Sequence, residues 1–160
     1  MEDIKYITSN MWGRFKPKKF TKIQGVEVRV LPEDHLISGQ HGLFSTQKWD
    51  TCDVIGEYVG KIVDDNFSTN KYVADLYRSS GGSSLGIDAL ENGNEMRYIN
   101  DYRGINTSTN CQISKATVDR RPVLLIVAIK SIDIGEEFLM DYGNGYWGIE
   151  PNEIKYDDKN

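Results

Sequence analysis

The sequence predicts a mostly β fold, a β-rich α+β domain assembled from many short strands. Three observations carry that prediction. Apolar residues come in short alternating or β-branched runs, such as Val26-Glu27-Val28-Arg29-Val30 and Val123 to Ile129. Clusters of glycine, asparagine and serine separate those runs. No stretch repeats apolar residues at the spacing of a long amphipathic helix, and there is no internal repeat. A chain of 160 residues fits one domain and can bury a sizeable core.

Taken in order, residues 14–22 carry Arg14, Lys16, Lys18, Lys19 and Lys22 with no acidic residue, which reads as a solvated basic arm. Val26 to Val30 alternates as a half-buried strand does. Leu43-Phe44 follows a glycine-bounded turn over 39–42. Val54 to Val63 is β-branched but broken by Gly56 and Gly60, so it is one bent strand or two short ones. Lys71 to Tyr77 and Leu85 to Asp88 flank the Ser/Gly turn of 79–84. Asn92 to Ile99 is a short helix, and 100–110 is a loop rich in Asn, Thr and Ser. Val123 to Ile129 is a buried strand, 131–135 a turn, and Glu137 to Tyr142 a final strand.

Composition narrows the function. Apolar residues make up 39% and charged residues 27%, with a net charge of −5. Direct nucleic-acid binding, which leans on many cationic contacts, is disfavoured, and a basic partner is favoured. No apolar run is long enough to span a bilayer, so no membrane partner is expected. The N-terminus shows no secretory pattern, so the nucleus or cytosol is the expected compartment, with the nucleus favoured. Cys52 and Cys111 are the only cysteines. They are read as two buried reduced thiols, and no metal site is expected.

Two motifs fail on context. Gly143-Asn144-Gly145-Tyr146-Trp147-Gly148 is a literal dinucleotide fingerprint, but too little chain follows for the helix and strand that such a site requires. Glu136-Glu137 would form a paired-carboxylate site only if both faced one way, and neighbours on a strand do not.

Four segments then occur in a particular order. They are Ser38 to Thr46 (SGQHGLFST), Val54 to Gly60 (VIGEYVG), Asp88 to Asp101 with its Gly93-Asn94 and Arg97-Tyr98-Ile99-Asn100-Asp101, and Gly135 to Gly143 (GEEFLMDYG). Together they resemble the SET-domain protein-lysine methyltransferases. The resemblance divides the chain into a basic arm and lead-in (1–24), a SET-like catalytic domain (25–148) and a tail without zinc-binding cysteines (149–160). It implies small curved sheets with a pseudoknot-like threading of the C-terminal strand. It also implies S-adenosyl-L-methionine (AdoMet) as methyl donor and a lysine in a basic protein or peptide, such as a histone tail, as acceptor.

The resemblance also assigns residues. Tyr142, in Asp141-Tyr142-Gly143, matches the catalytic tyrosine, and Tyr58 matches a second tyrosine at the lysine. Because a phenol titrates near 10, orientation rather than proton removal is expected of them. Tyr58, Ala74, Met140 and Tyr142 would line the substrate channel. The cofactor would meet backbone groups of Gln40, His41 and Gly42, and the side chains of Tyr72, Arg97, Asn100, Asp101, Tyr146 and Trp147. The usual Asn-His-Ser-Cys of the family reads Asn100-Asp101-Tyr102-Arg103 here, so Asp101 would have to replace a histidine at the adenine. Met140, lacking a hydroxyl, implies room for more than one methyl group. The alternative reading is a weak or inactive SET-fold module that binds a basic peptide without turnover.

Overall fold

The structure is a computed structural model that describes residues 5–7, 10–11, 23–64, 71–143 and 146. The basic stretch 14–22 and the tail from 149 lie outside the described residues. The strands are β1 (Lys5–Tyr6), β2 (Val26–Val30), β3 (His41–Ser45), β4 (Val54–Tyr58), β5 (Lys61–Asp64), β6 (Val73–Arg78), β7 (Ser84–Asp88) and β8 (Asn92–Gly93). After a 3-10 helix at Glu95–Tyr98 come β9 (Asn100–Asp101), β10 (Cys111–Val118), β11 (Arg121–Ala128) and β12 (Leu139–Met140).

These strands form small separate sheets: β2-β3, β5-β7-β6, β10-β11-β4, and the two-stranded parallel pairs β9-β12 and β1-β8. The expected β-rich class and its small sheets are therefore observed. Leu43, Ile55, Ile87, Leu124, Ile126 and Phe138 meet in one core that the sheets enclose.

The bent run of 54–63 is two strands. Their junction is Gly60, where a Cβ would lie 2.3 Å from the carbonyl oxygen of Asp88, so only glycine allows the backbones to meet there. The described part of the N-terminal lead-in is docked. The amides of Lys5 and Ile7 bond to Glu91 and Gly93, Met11 bonds to Gly60, and Ile7 is buried.

Several sequence expectations are corrected: Asn92 to Ile99 is strand β8 followed by a 3-10 helix rather than one helix, and the expected 100–110 loop opens with strand β9, held extended by its partner β12. β10 lies in a region where no strand was expected, because Gln112, Ser114, Lys115 and Thr117 break the apolar pattern. It is a sheet-edge strand whose pairing partner, not its own composition, holds it extended. Its hairpin turn places Asp119 and Arg120 at φ of 49° and 62°. That is the type I′ geometry usually announced by Asn-Gly, and no such pair is present. The final strand shrinks to Leu139–Met140 because the Asn110 side chain takes over the ladder: its Nδ2 donates to the Glu137 carbonyl at 2.7 Å and its Oδ1 accepts from the Leu139 amide at 2.8 Å. Cys52, finally, is exposed, while Cys111 is buried.

The expected threading is seen in the same place. Residues 137–142 run between β3 and the 100–110 loop. The Phe138 amide bonds to Leu43 on one side, and the Tyr102 and Asn110 amides bond to Met140 and Leu139 on the other.

Candidate active site

The segment 94–101 organises the site. Asn94 caps the 3-10 helix through the Met96 amide and anchors it to β4 by donating to the Glu57 carbonyl at 2.7 Å. Met96 and Ile99 then enter the core, while Arg97 and Tyr98 face a cavity of about 760 Å³. β9 follows and lays Asn100 and Asp101 beside β12, one residue short of Asp141-Tyr142.

That cavity gathers Gln40, His41, Tyr72, Arg97, Asn100, Asp101, Tyr142 and Tyr146. Eight residues singled out from the sequence therefore share one lining. Gly42, Tyr58, Ala74 and Met140 are not part of it. A Cβ at Gly42 would lie 2.7 Å from Glu137 Oε1 and 2.9 Å from Leu31, so the glycine permits a close approach within the chain itself. The backbone of Gln40 is likewise engaged within the chain, with Ile37 and Leu31. Tyr58 lies behind Tyr72, donating its hydroxyl to the Tyr72 carbonyl at 2.8 Å. Met140 is buried in register with Asp101, and Ala74 is half-buried opposite Ile87. Trp147 lies outside the described residues.

The polar groups around the cavity are held firmly. Asn100 Nδ2 donates to the His41 carbonyl at 3.1 Å and to Glu137 Oε1 at 2.9 Å. Both neighbours are acceptors only, which fixes the amide's orientation and leaves Oδ1 as the acceptor it can offer. The other oxygen of Glu137 meets His35 Nε2 at 3.1 Å. His35 Nδ1 accepts from the Ile37 amide, so the proton sits on Nε2 and His35 donates to Glu137. Arg97 is buried with its guanidinium 3.9 Å from the Tyr72 ring centre, and its Nε donates to the Ala89 carbonyl at 2.8 Å. A π face and carbonyls thus replace the water lost by that cation.

Tyr142 is anchored at both ends. Its hydroxyl donates to the Ile99 carbonyl at 2.6 Å, and its amide donates to Asp101 Oδ2 at 2.8 Å. The Tyr146 ring packs edge-on against it with centroids 4.7 Å apart. Burial pushes the phenols of both Tyr142 and Tyr58 well above the ordinary tyrosine value; the charge of Arg97 opposes the shift at Tyr58 without cancelling it. Neither can act as a proton acceptor in its ionised form near neutral pH.

Sequence reasoning missed Glu137, Arg103 and Tyr98. From the sequence, Glu137 stands out only as half of a carboxylate pair with Glu136. That pair does not form: Glu136 is exposed and accepts from the Asp133 amide. No residue spacing could have shown that Glu137 turns inward to His35. Tyr98, beside His41 at 5.6 Å between rings, was legible in Arg97-Tyr98-Ile99-Asn100.

Threaded β12, the parallel pair it makes with β9, and a tyrosine-walled cavity at their junction define a SET domain. The SET domain family matches residues 40–143, well over half of the chain, and the chain belongs to that family. It is 28% identical over 122 residues to the N-lysine methyltransferase KMT5A-A of Xenopus laevis, with 69% of this chain and 35% of that protein aligned. It is also 28% identical over 113 residues to the histone-lysine N-methyltransferase ASHH3 of Arabidopsis thaliana, covering 63% and 29%. The chain thus spans about a third of the length of these relatives. Among solved structures, a polycomb repressive complex 2 in an autoinhibited conformation, bound to S-adenosylmethionine, shares the fold with a TM-score of 0.59 at 23% identity, covering 75% of this chain and 15% of that one.

Proposed function

We propose that this chain is an AdoMet-dependent protein-lysine N-methyltransferase whose catalytic unit is 25–148, acting on a basic protein such as a histone tail, with the nucleus as its favoured compartment. The observation that carries the reading is Tyr142, with hydroxyl and amide both anchored, at the wall of a ligand-sized cavity beside Asn100.

The cavity fits AdoMet in size and chemistry. Its volume lies within the roughly 300–1,000 Å³ of small-molecule sites. Tyr72, Tyr98 and Tyr146 offer aromatic faces for a flat base and a cation. Asn100 Oδ1 is an acceptor suited to an amino group. When bound, AdoMet supplies a methyl group on a positive sulfonium.

The chain's own residues then have three tasks. The first is to favour a neutral lysine amine, whose ordinary pKa is about 10.4; burial next to a cation does this. The second is alignment, and a phenol oxygen whose proton is committed to Ile99 can still accept from the amine or lie against polarised C–H bonds. The third is to keep water away from the reacting atoms, which suits buried Tyr58 and Met140 and half-buried Tyr142. No strong base is required, in keeping with two phenols that stay protonated. Relatives named as histone-lysine methyltransferases and a net charge of −5 support a basic acceptor.

Incubation with methyl-labelled AdoMet and mixed histones tests the reading. Labelled histone bands are expected. AdoMet binding without transfer would favour the peptide-binding module instead, a reading that rests on Asp101 standing where the family has histidine. Absence of AdoMet binding would overturn the proposal.

A further inference from the structure

We propose that Asp101 is a positioning residue for Tyr142, with Arg103 as the counter-ion that keeps its carboxylate charged inside the protein. The proposal rests on the reading of Tyr142 as the catalytic tyrosine. The sequence assigned Asp101 to the cofactor; the geometry points to another task. Its side chain is 6% exposed. Oδ2 accepts from the Tyr142 amide and from Arg103 Nη1, both at 2.8 Å, and Oδ1 accepts from the Arg103 amide at 2.9 Å. Arg103 Nη1 also reaches Asp141 Oδ1 at 2.8 Å, and that oxygen accepts from the Gly143 amide at 2.7 Å. Asp141, which precedes Tyr142, is therefore tied to Arg103, and Gly143, which follows it, is tied to Asp141.

The chemistry explains why Asp101 and Arg103 occur together. A histidine ring has at most one acceptor nitrogen, whereas a carboxylate can accept two main-chain amides and an ion pair together. A buried carboxylate without a partner is strongly disfavoured, so Asp101 calls for a cation, and Arg103 stands two residues on. The Arg103–Asp141 contact is of another kind: Asp141 is 50% exposed, and exposed pairs contribute little. Asp101 is thus the member that matters. Its bond to the Tyr142 amide and the Ile99 carbonyl's bond to the Tyr142 hydroxyl together set the direction of the phenol. Displacing a reacting group by about 1 Å can cost roughly a hundredfold in rate.

The test uses the full chain and four variants: D101A, D101N, R103M and the double variant D101N/R103M. Three quantities are read for each: AdoMet affinity by calorimetry, kcat and KM for histone methylation, and hydrogen exchange of the Tyr142 amide in ligand-free protein. D101A should speed Tyr142 amide exchange and lower kcat about 10- to 100-fold, with AdoMet affinity held within about threefold. D101N keeps an oxygen for the Tyr142 amide and should recover most of both losses. R103M should be more harmful alone than when combined with D101N, since only the single variant strands a buried charge. Equal weakening of AdoMet by D101A and D101N with kcat unchanged would make Asp101 a cofactor ligand and overturn the proposal. Unchanged Tyr142 exchange in D101A would overturn it as well. If D101A does not fold, the comparison of D101N, R103M and the double variant decides. If the wild-type chain transfers no methyl group, the functional reading falls, while amide exchange still decides the positioning role.

Discussion

Asn100 and Asp101 are neighbours on a two-residue strand, yet they serve opposite sides of the cavity. Asn100 turns towards β3, where Glu137 and the His41 carbonyl hold its amide. Asp101 turns towards the C-terminal strand, where it holds the Tyr142 amide. The alternation of an extended backbone makes this division possible. On the proposed reading, one side presents a fixed acceptor to a ligand and the other fixes the direction of a phenol. Losses on the first side should appear in affinity, and losses on the second in turnover.

The largest effect is expected on the Tyr142 side. Removing its hydroxyl in Tyr142→Phe should lower methyl transfer about 100- to 1,000-fold while AdoMet affinity stays within a few-fold. Turnover near the wild-type value would remove Tyr142 from the chemistry.

The Asn100 side should respond in the other measurement. Asn100→Ala is expected to weaken AdoMet binding by about 1–3 kcal/mol, the range for a lost hydrogen bond to a buried polar group. Glu137→Gln should act in the same direction, because it sets an amide that can donate against one that already does. Calorimetry showing unchanged affinity for both variants would erase the distinction between the two sides.

The buried phenols add a prediction for the fold. Tyr58 and Tyr142 titrate higher in the folded chain than in the unfolded one, through burial. Their contribution to stability is therefore fully present below about pH 10, the unfolded tyrosine value, and is lost as pH rises above it. Urea midpoints should be flat with respect to these groups between pH 7 and 9 and fall beyond about pH 10. The Tyr58→Phe/Tyr142→Phe double variant should fall less steeply there. An identical alkaline decline would show that other groups control it.

Met140 is buried and in register with Asp101. The wild-type chain is expected to reach di- or trimethyl-lysine, and Met140→Tyr should shift the product towards monomethyl. The added ring should also lower stability by about 1–3 kcal/mol. Mass spectrometry of a peptide after long reaction times checks this; a wild-type product halted at one methyl would refute it. The smallest effect lies far from the cavity. Arg120→Gly relieves a positive φ in the β10–β11 hairpin and should raise stability by up to about 1 kcal/mol without changing turnover; a lower melting temperature would argue against it.

The parts of this architecture that were legible in the sequence were local ones. β2, the two halves of the 54–63 run, β7 and β11 each carry their own alternation or β-branched run. The ordered motifs around Tyr58, Asn100 and Tyr142 were enough to point to the family. β10 was not legible, because an edge strand with polar positions is defined by what it pairs with. The short final strand was misjudged for a related reason: a side chain 29 residues away, Asn110, replaces part of its ladder.

The candidate site divides along the same line. Its membership was set by residue type at motif positions, and eight named residues do line one cavity. What each residue does there was decided by tertiary contacts. Glu137 became the support of Asn100 because the turn carrying His35 packs against it. Gly42 became a packing position because Glu137 lies beneath it. Asp101 meets Tyr142 because threading brought an amide and a guanidinium within reach of one carboxylate. The sequence by itself determined the strands that bury their own side chains, the acidic balance and the family motifs, since these depend on residues close together in the chain. The partners of each polar group depended on hydrogen bonds spanning up to a hundred residues, and only the tertiary structure could choose among them.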